Sequence, residues 1–334
     1  MSTMAMPMAS VPFGCMPAYH PNLMLPMGTL APQMLWNPAW QSAFCTPAPA
    51  VAEQVGRPLL PPRALAAMPI HLRASSQGGQ PLCRILCYGD SLTVGYCSNG
   101  QLFEPYGRAM SEALAAAGFA CEVSICGHSG KTTHEMVAAL GGRLVDIVGC
   151  QGQGLEQILA EQEYDLVIIM SGTNDMGMGA PQDAILTDLS RLHSACHDRG
   201  VPTVALAPPP APIGGPQREV ARRCLADRIR ALAASSPGML ACIDPADLVP
   251  MGLAFWERDG LHFSPAGSCL LGERLAAVAA EKLLECAAYA PDVQGRHART
   301  TSDESTSKKR QASRCASEVA WLVRDPRHLH AAVA

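Results

Sequence analysis

The chain has 334 residues, of which 48% are hydrophobic, and a formal net charge of -4 at pH 7. These numbers allow one sizeable hydrophobic core, and the near balance of charge, with no basic stripe between residues 82 and 290, argues against nucleic-acid binding. The 14 cysteines are scattered without a CxxC pair, so the sequence indicates neither a zinc site nor a redox dithiol and favours a reducing compartment.

Residues 1–81 precede the first predicted strand and have the composition of a disordered segment. No Lys, Arg, Asp or Glu occurs before Glu53, and prolines recur every few residues alongside frequent methionines. A membrane span needs about 20 unbroken apolar residues, and a secretory signal needs a basic start followed by a compact apolar run. The segment has neither pattern, and it has no Arg before Arg57, whereas an organellar transit peptide is rich in arginine. We therefore expect a disordered Pro- and Met-rich lead, or alternatively a partner-binding segment, on a cytoplasmic protein.

Between residues 82 and 290, short apolar runs alternate with helical patterns. This alternation is typical of a parallel sheet covered by helices on both faces. The five predicted strands are 84–88, 121–126, 165–170, 201–207 and 239–243. Their near-continuous hydrophobicity suits strands that are buried on both faces.

Three helices are predicted around these strands. Residues 105–117 and 184–197 carry apolar side chains at helical spacing, with polar side chains on the other face. Ser264 and Pro265 have the residue types of an N-cap and a first helical position, and they open an Ala- and Leu-rich run. Strands and helices in this order predict an α/β domain over residues 82–290.

Residues 291–334 follow the last predicted helix and are polar, with the basic triplet Lys308-Lys309-Arg310. A segment of this composition cannot bury enough apolar surface to order itself. We therefore expect a second disordered tail, in which the basic triplet is a solvated charge cluster or, alternatively, a nuclear address.

Four short polar stretches carry the candidate chemistry: 88–92, 127–130, 172–175 and 259–262. Three of them directly follow predicted strands, and the fourth precedes the last helix. In open parallel sheets, ligands bind beyond the carboxyl ends of the strands. Together the four stretches contain the residue types of acyl-transfer chemistry: a nucleophile, oxyanion donors and a base with an orienting acid.

Ser91, Asp259 and His262 are the candidate nucleophile, orienting acid and base. Asp259 and His262 are three residues apart, which on a helical turn places both side chains on one side, so the carboxylate could hold the imidazole in the tautomer that accepts a proton from Ser91. Taken alone, Ser91 could equally cap a helix, and Asp259 and His262 could be a capping and a core residue. Position 93 is Thr, so the Gly-x-Ser-x-Gly motif of α/β-hydrolases is missing.

Asn174 and Gly130 are the candidate oxyanion donors. The Asn174 amide is a neutral donor after the most hydrophobic predicted strand, and Gly130 can offer a backbone N–H while leaving room for a substrate. Each could also be an ordinary turn residue. Metal binding is not indicated, because the histidines do not complete a recognisable ligand spacing.

In their order, the four stretches resemble the four sequence blocks of the GDSL or SGNH hydrolase superfamily. The resemblance covers about residues 82–289, roughly the whole predicted domain, and leaves both tails unexplained. It implies a three-layer α/β/α, flavodoxin-like fold with a parallel sheet of about five strands, and no metal or organic cofactor.

The resemblance also implies a role for each site residue. Ser91 corresponds to the nucleophile, His262 to the base and Asp259 to its orienter. Gly130 and Asn174, with the backbone N–H of Ser91, correspond to the oxyanion hole. Gly127 is the alternative to Gly130, and Asp90 is expected to brace the turn at Ser91.

The function expected from these residues is hydrolysis of a small-molecule carboxylic ester through an acyl-enzyme, with short-chain esters as the first expectation. The alternatives are an acyltransferase of the same fold and a catalytically silent ligand-binding protein. The loop 207–212 is expected to form one pocket wall, with Met176, Met178 and Trp256 as apolar neighbours. Oligomeric state is not predicted.

Overall fold

A six-stranded sheet forms the centre of the protein. The computed structural model describes residues 59–60, 70–73 and 82–289. In chain order the strands are β1 (Ile70–Arg73), β2 (Cys83–Gly89), β3 (Tyr96–Cys97), β4 (Leu102–Phe103), β5 (Cys121–Gly127), β6 (Arg143–Val145), β7 (Gln151–Gln153), β8 (Leu166–Met170), β9 (Thr203–Leu206) and β10 (Met239–Ile243). The central sheet has the order β1-β5-β2-β8-β9-β10, whereas β3 with β4 and β6 with β7 form two small hairpins.

Five strands of the central sheet run parallel, and they are the five that the sequence predicts. Strand β2 pairs with β5 on one side and β8 on the other, and β9 and β10 continue the sheet. Each observed strand agrees with its predicted range to within two residues at either end. Every residue of β8 is buried, as expected for a central parallel strand.

Helices cover both faces of the sheet. In chain order they are α1 (Ser91–Val94), α2 (Tyr106–Ala116), α3 (Thr133–Ala138), α4 (Leu155–Glu161), α5 (Thr173–Gly177), α6 (Gln182–His197), α7 (Gly215–Ser235), α8 (Pro245–Leu248) and α9 (Pro265–Tyr289). Helices α2 and α9 pack on one face, against Ile85 and Ile168. The neighbouring side chains Leu86 and Val167 point to the opposite face and pack against α4 and α6. The predicted three-layer α/β/α architecture is therefore confirmed.

Strand β1 departs from the sequence expectation, because it lies within residues 1–81, which were predicted to be disordered. It pairs antiparallel with β5, from Ile70 opposite Ile125 to Arg73 opposite Glu122. Leu72 is half-buried against the core. A four-residue edge strand is too short to stand out in a segment of biased composition. The rest of 1–81, except 59–60, and the predicted tail 291–334 lie outside the described residues.

The carboxyl ends of three neighbouring strands are aligned and position the site. Gly89 at the end of β2 is opposite Gly127 of β5 and Met170 of β8. Two hydrogen bonds tie the following loops together: Asp90 N donates to Met170 O (3.3 Å), and His128 N donates to Gly89 O (2.8 Å). Three of the four polar stretches thus meet at one edge of the sheet. In the part of the chain that the structure describes, no helix has the length and apolar character needed to cross a membrane.

Candidate active site

Ser91 is the first residue of α1, directly after β2. Its N-cap is Asp90, whose Oδ1 accepts a hydrogen bond from Leu92 N at 3.0 Å. Gly89 permits this sharp turn, because a Cβ at that position would lie 2.0 Å from the carbonyl oxygen of Met170. The Ser91 side chain is held at the rim of the sheet with only 7% of the residue exposed.

The Ser91 hydroxyl lies 2.9 Å from Nε2 of His262. On the other side of the ring, Nδ1 of His262 is 2.7 Å from Oδ2 of Asp259. Because Nδ1–H donates to a carboxylate, Nε2 is left as the acceptor that faces the Ser91 hydroxyl. The structure therefore joins these three predicted site residues in one hydrogen-bonded chain.

Asp259 is fixed by its own backbone neighbours. Its Oδ1 accepts hydrogen bonds from Leu261 N (2.8 Å) and His262 N (3.0 Å), at a turn in which Gly260 adopts a positive φ of 61°. Burial acts to raise the pKa of Asp259, but the hydrogen bonds and charge of His262 and the two backbone N–H groups outweigh it, and the pKa lies below its usual value. The carboxylate is therefore ionised at neutral pH and can stabilise an imidazolium.

Asn174 lies in α5, just beyond β8. The preceding Gly172 has a φ of 109°, which favours glycine. Nδ2 of Asn174 donates a hydrogen bond to the carbonyl oxygen of Lys131 at 2.9 Å. An amide nitrogen carries two protons, so one N–H is fixed by Lys131 and the second is available to another acceptor.

Gly130 lies in the loop after β5, next to Lys131, and has a φ of 73°. Asp175 secures this loop from α5: its carboxylate accepts hydrogen bonds from Thr133 N (2.9 Å) and Thr133 Oγ1 (2.6 Å). Asn174 and its neighbour Asp175 are thus both hydrogen-bonded to the loop that contains Gly130. Gly130 and Asn174 follow β5 and β8, the two strands that flank β2, and β2 leads to Ser91.

Tyr96 is a site neighbour that the sequence did not single out. It lies on β3, and its ring centroid is 4.5 Å from that of His262. An aromatic residue in a two-residue strand gives no sequence signal for this contact, because the imidazole comes from a loop far along the chain. The contact between the Tyr96 and His262 rings is apparent only in the folded structure.

The expected pocket lining is partly observed. Met176, Pro208 and Pro209 border a concavity beside the candidate site, and Met178 is exposed. Trp256 does not take part: it is 5% exposed, packs on Phe263 with ring centroids 4.7 Å apart, and donates from Nε1 to Pro250 O. Its place in the core explains why it is not a pocket wall.

The described residues contain no group of three or more His, Cys, Asp or Glu side chains arranged to hold a metal ion. The eleven cysteines within these residues are all free thiols. The chemistry available at the site is thus that of a hydroxyl, an imidazole, a carboxylate and hydrogen-bond donors.

Residues 87–269 match the sequence profile of the GDSL-like lipase/acylhydrolase family. A comparison with curated proteins finds no match. Among solved structures, the chain is similar to a protein thought to be an arylesterase from Agrobacterium tumefaciens str. C58, with 26% identity, 60% of this chain and 99% of that chain covered, and a TM-score of 0.47. It is also similar to the psychrotrophic esterase EstA from Pseudoalteromonas sp., with 17% identity, 60% and 98% covered, and a TM-score of 0.47.

Proposed function

The chain belongs to the GDSL-like lipase/acylhydrolase family and is an ester-hydrolysing enzyme, and from this premise we propose that it acts through an acyl-enzyme on Ser91. The observation that carries the proposal is the hydrogen-bonded chain from Ser91 through His262 to Asp259, with distances of 2.9 and 2.7 Å. Both distances lie within the range required for proton transfer between nucleophile and base.

In the first step, Oγ of Ser91 forms a bond to the ester carbonyl carbon while Nε2 of His262 takes its proton. The carbonyl oxygen becomes an oxyanion. The backbone N–H groups of Ser91 and Gly130 and the second N–H of Asn174 are the donors that hold it. Asp259 stabilises the imidazolium through Nδ1–H.

The tetrahedral intermediate then breaks its bond to the alcohol oxygen, which takes the proton from His262. The acyl group stays on Ser91. Water next attacks the acyl carbon and gives a proton to His262, and the second intermediate releases the carboxylic acid as Oγ recovers that proton. The proposed cycle uses the side chains and backbone N–H groups named above and one water molecule.

The proposal places the whole reaction in the domain of residues 82–290. Its free thiols support a reducing compartment, so the cytoplasm is the proposed location.

An acyltransferase would use the same acyl-enzyme with an alcohol in place of water. Adding an alcohol acceptor to the assay and identifying the products separates these two activities.

Labelling and hydrolysis together test the proposal. A fluorophosphonate should label Ser91, as read by mass spectrometry of the peptide, and the protein should cleave p-nitrophenyl esters of short acyl chains or acetylated sugars. The Ser91→Ala variant should lose both labelling and turnover. Ser129→Ala is the matched control, because Ser129 is a buried serine in the neighbouring loop. Hydrolysis by Ser91→Ala at the wild-type rate would refute the assignment, and a folded wild-type protein that showed neither labelling nor hydrolysis would favour the ligand-binding alternative.

A further inference from the structure

Gly130 lies in a tight turn whose central peptide carries one of the proposed oxyanion donors. Lys131 N donates a hydrogen bond to His128 O at 3.1 Å, so residues 128–131 form a β-turn with Ser129 and Gly130 at its centre. The Gly130 φ of 73° fits the third position of a type II turn, where φ is about +80°. The N–H of Gly130 and the carbonyl of Ser129 belong to one planar trans peptide and point in opposite directions.

The turn alone does not fix the orientation of this central peptide. Type I and type II turns connect the same end residues, but their central dihedral angles differ by about 150–170°, which directs the central N–H to the opposite side. A glycine at the third position accepts either type, because it adopts positive and negative φ with similar ease. The Gly130 N–H therefore needs a contact from outside the turn to hold one direction.

The loop between β6 and β7 supplies that contact. Ile147 N donates a hydrogen bond to Ser129 O at 3.1 Å, which fixes the carbonyl of the central peptide and directs the Gly130 N–H away from Ile147. A hydrogen bond at the carbonyl oxygen also polarises the peptide, so its N–H becomes a stronger donor. The Ile147 side chain packs on the same glycine, since three of its carbons lie 2.6–2.8 Å from the position that a Cβ would take at Gly130.

Asp146 holds the other side of Ser129. Its Oδ2 accepts a hydrogen bond from Ser129 N at 3.3 Å, and its Oδ1 accepts from Val148 N at 3.0 Å and Cys150 N at 2.7 Å. The β6–β7 loop is thus bound to both backbone groups of Ser129, through the buried Asp146 carboxylate and through Ile147 N. The Ser129 side chain takes no part, because its Oγ has no hydrogen-bond partner among the residues that the structure describes.

We propose that Asp146 and Ile147 are positioning residues, which hold the Ser129–Gly130 peptide in the orientation in which the Gly130 N–H meets the oxyanion. The inference rests on the proposed function and deepens it, because it identifies what preorganises one oxyanion donor. A donor that had to reorient during the reaction would stabilise the transition state less. Neither residue touches the reacting atoms in this role.

Deleting the Ile147 N–H alone tests the first contact. Cell-free translation with the α-hydroxy analogue of isoleucine replaces the amide between Asp146 and Ile147 by an ester and keeps every side chain. We expect kcat to fall by about 3- to 10-fold, the effect of one hydrogen bond. KM should change little, because the contact acts on the oxyanion and not on the bound ester. The apparent pKa of the base should keep its wild-type value, since the base and its partners are untouched.

Gly149 offers a matched control in the same loop. Gly149 N donates a hydrogen bond to Asp146 O at 3.2 Å, and the ester at Ile147 weakens this carbonyl as an acceptor. An ester at Gly149, made with glycolic acid, removes the same hydrogen bond but keeps the Ile147 N–H. We expect its kcat and KM to match those of wild type. A kcat as low as that of the Ile147 ester would show that the loop acts only through its stability, and it would overturn the proposal.

Asp146→Asn tests the second contact. A carboxamide has one acceptor oxygen, so it cannot accept from Ser129 N on one side and from Val148 N and Cys150 N on the other. We expect kcat to fall by about 10-fold or more, but by less than the roughly 10²- to 10³-fold effect of losing an oxyanion donor, again with little change in KM. Asp183→Asn is the control for the substitution, because Asp183 is exposed on α6. Urea unfolding establishes that both variants are folded.

Nuclear magnetic resonance reports on the peptide itself. The nitrogen-15 shift of Gly130 responds to hydrogen bonding at the Ser129 carbonyl, and it should change in the Ile147 ester but not in the Gly149 ester. An unchanged shift in the Ile147 ester would overturn the proposal, as would a wild-type kcat in both that ester and Asp146→Asn. Ester cleavage and labelling of Ser91 in the wild type would then leave the proposed function standing. A wild type without either activity would reject the proposed function itself, and the oxyanion role of Gly130 with it.

Discussion

The ring of Tyr96 covers one face of the His262 imidazole, with centroids 4.5 Å apart and ring planes inclined by 34°. Tyr96 is itself held edge-on against Phe103 of β4, at a centroid distance of 5.9 Å. Burial, followed by the charge of Asp259, raises the pKa of Tyr96 to about 12, so the phenol is neutral at neutral pH. The neutral ring can both orient the imidazole and stabilise its cationic form.

Replacing the Tyr96 ring should therefore slow the chemical steps. We expect Tyr96→Leu to lower kcat by roughly 3- to 30-fold, since a desolvated cation–π contact contributes about 0.5–2 kcal/mol, with little change in KM. Tyr96→Phe keeps the ring and should stay close to wild type. Steady-state kinetics with a p-nitrophenyl ester from pH 5 to 9 measure both the rate and the apparent pKa of the base. A Phe variant as slow as the Leu variant would show that the hydroxyl, not the ring, matters.

The oxyanion donors give a second prediction. Asn174→Ala removes the amide whose other N–H is fixed by Lys131 O, and we expect kcat to fall by about 10²- to 10³-fold because one preformed donor is lost. Asn174→Asp replaces the neutral donor with a group that carries negative charge when ionised, and it should be at least as slow. The measurement is kcat with a short-chain ester, accompanied by circular dichroism to establish folding.

A change of less than about threefold in kcat for Asn174→Ala would assign the oxyanion to other donors. Gly130→Ala tests the second candidate donor, in the loop after β5, and should also lower kcat. An added Cβ there would lie 2.6 Å from Ile147, at a φ of 73°, so both the loop and its N–H would be displaced.

The sequence predicts the sheet and the identity of the site residues for different reasons. Buried parallel strands are near-continuous apolar runs, so β8 could be located from its composition alone. The contact between Ser91 and His262 spans 171 residues, and no local spacing can encode it. The residue types of the four stretches, their positions next to predicted strands and helices, and their resemblance to a family brought the two residues together. Nothing local marked Tyr96, and α7 was not among the predicted helices. Tyr96 meets His262 only in the tertiary structure, which a single sequence does not reveal.

Asp90 should make stability depend on pH. It is fully buried, and burial raises its pKa from 3.8 to about 7, with the Leu92 N–H and the charge of His262 acting in the opposite direction and Asp175 reinforcing the shift. The folded state therefore binds a proton more tightly than the unfolded state between these values. This stabilising contribution is full below pH 3.8 and is lost as pH rises through about 7.

The variant Asp90→Asn removes the titration but keeps a good N-cap for Leu92 N. We expect the free energy of unfolding of the variant, relative to wild type, to increase between pH 5 and pH 8, by up to about 1.4 kcal/mol per pH unit below pH 7. Urea unfolding at several pH values measures it. If the two proteins showed parallel pH dependence, Asp90 would not titrate in this range.

A hydroxyl shared by two histidines joins α6 to β9. Thr203 Oγ1 lies 2.8 Å from Nδ1 of His193 and 2.9 Å from Nε2 of His197. Burial lowers the pKa of His193 from 6.5 to about 3 and shifts that of His197 in the same direction. Burial thus disfavours protonation of these imidazoles in the folded state. The stability that their neutral forms contribute is fully present above pH 6.5 and is lost as pH falls from 6.5 towards 3.

Replacing His193 with a neutral hydrogen-bonding residue should make the free energy of unfolding depend less steeply on pH below 6.5. In His193→Gln the amide can still meet Thr203 but does not titrate. The free energy of unfolding of wild type should fall by up to about 1.4 kcal/mol per pH unit through this group between pH 6 and pH 4. The variant should lose less over this range. A cavity left by its smaller side chain lowers its stability at pH 7.5. Thermal and urea unfolding across this range measure the slope. Because a packing defect lowers stability equally at every pH, only the slope reports the imidazole, and an unchanged slope would exclude His193 as its source.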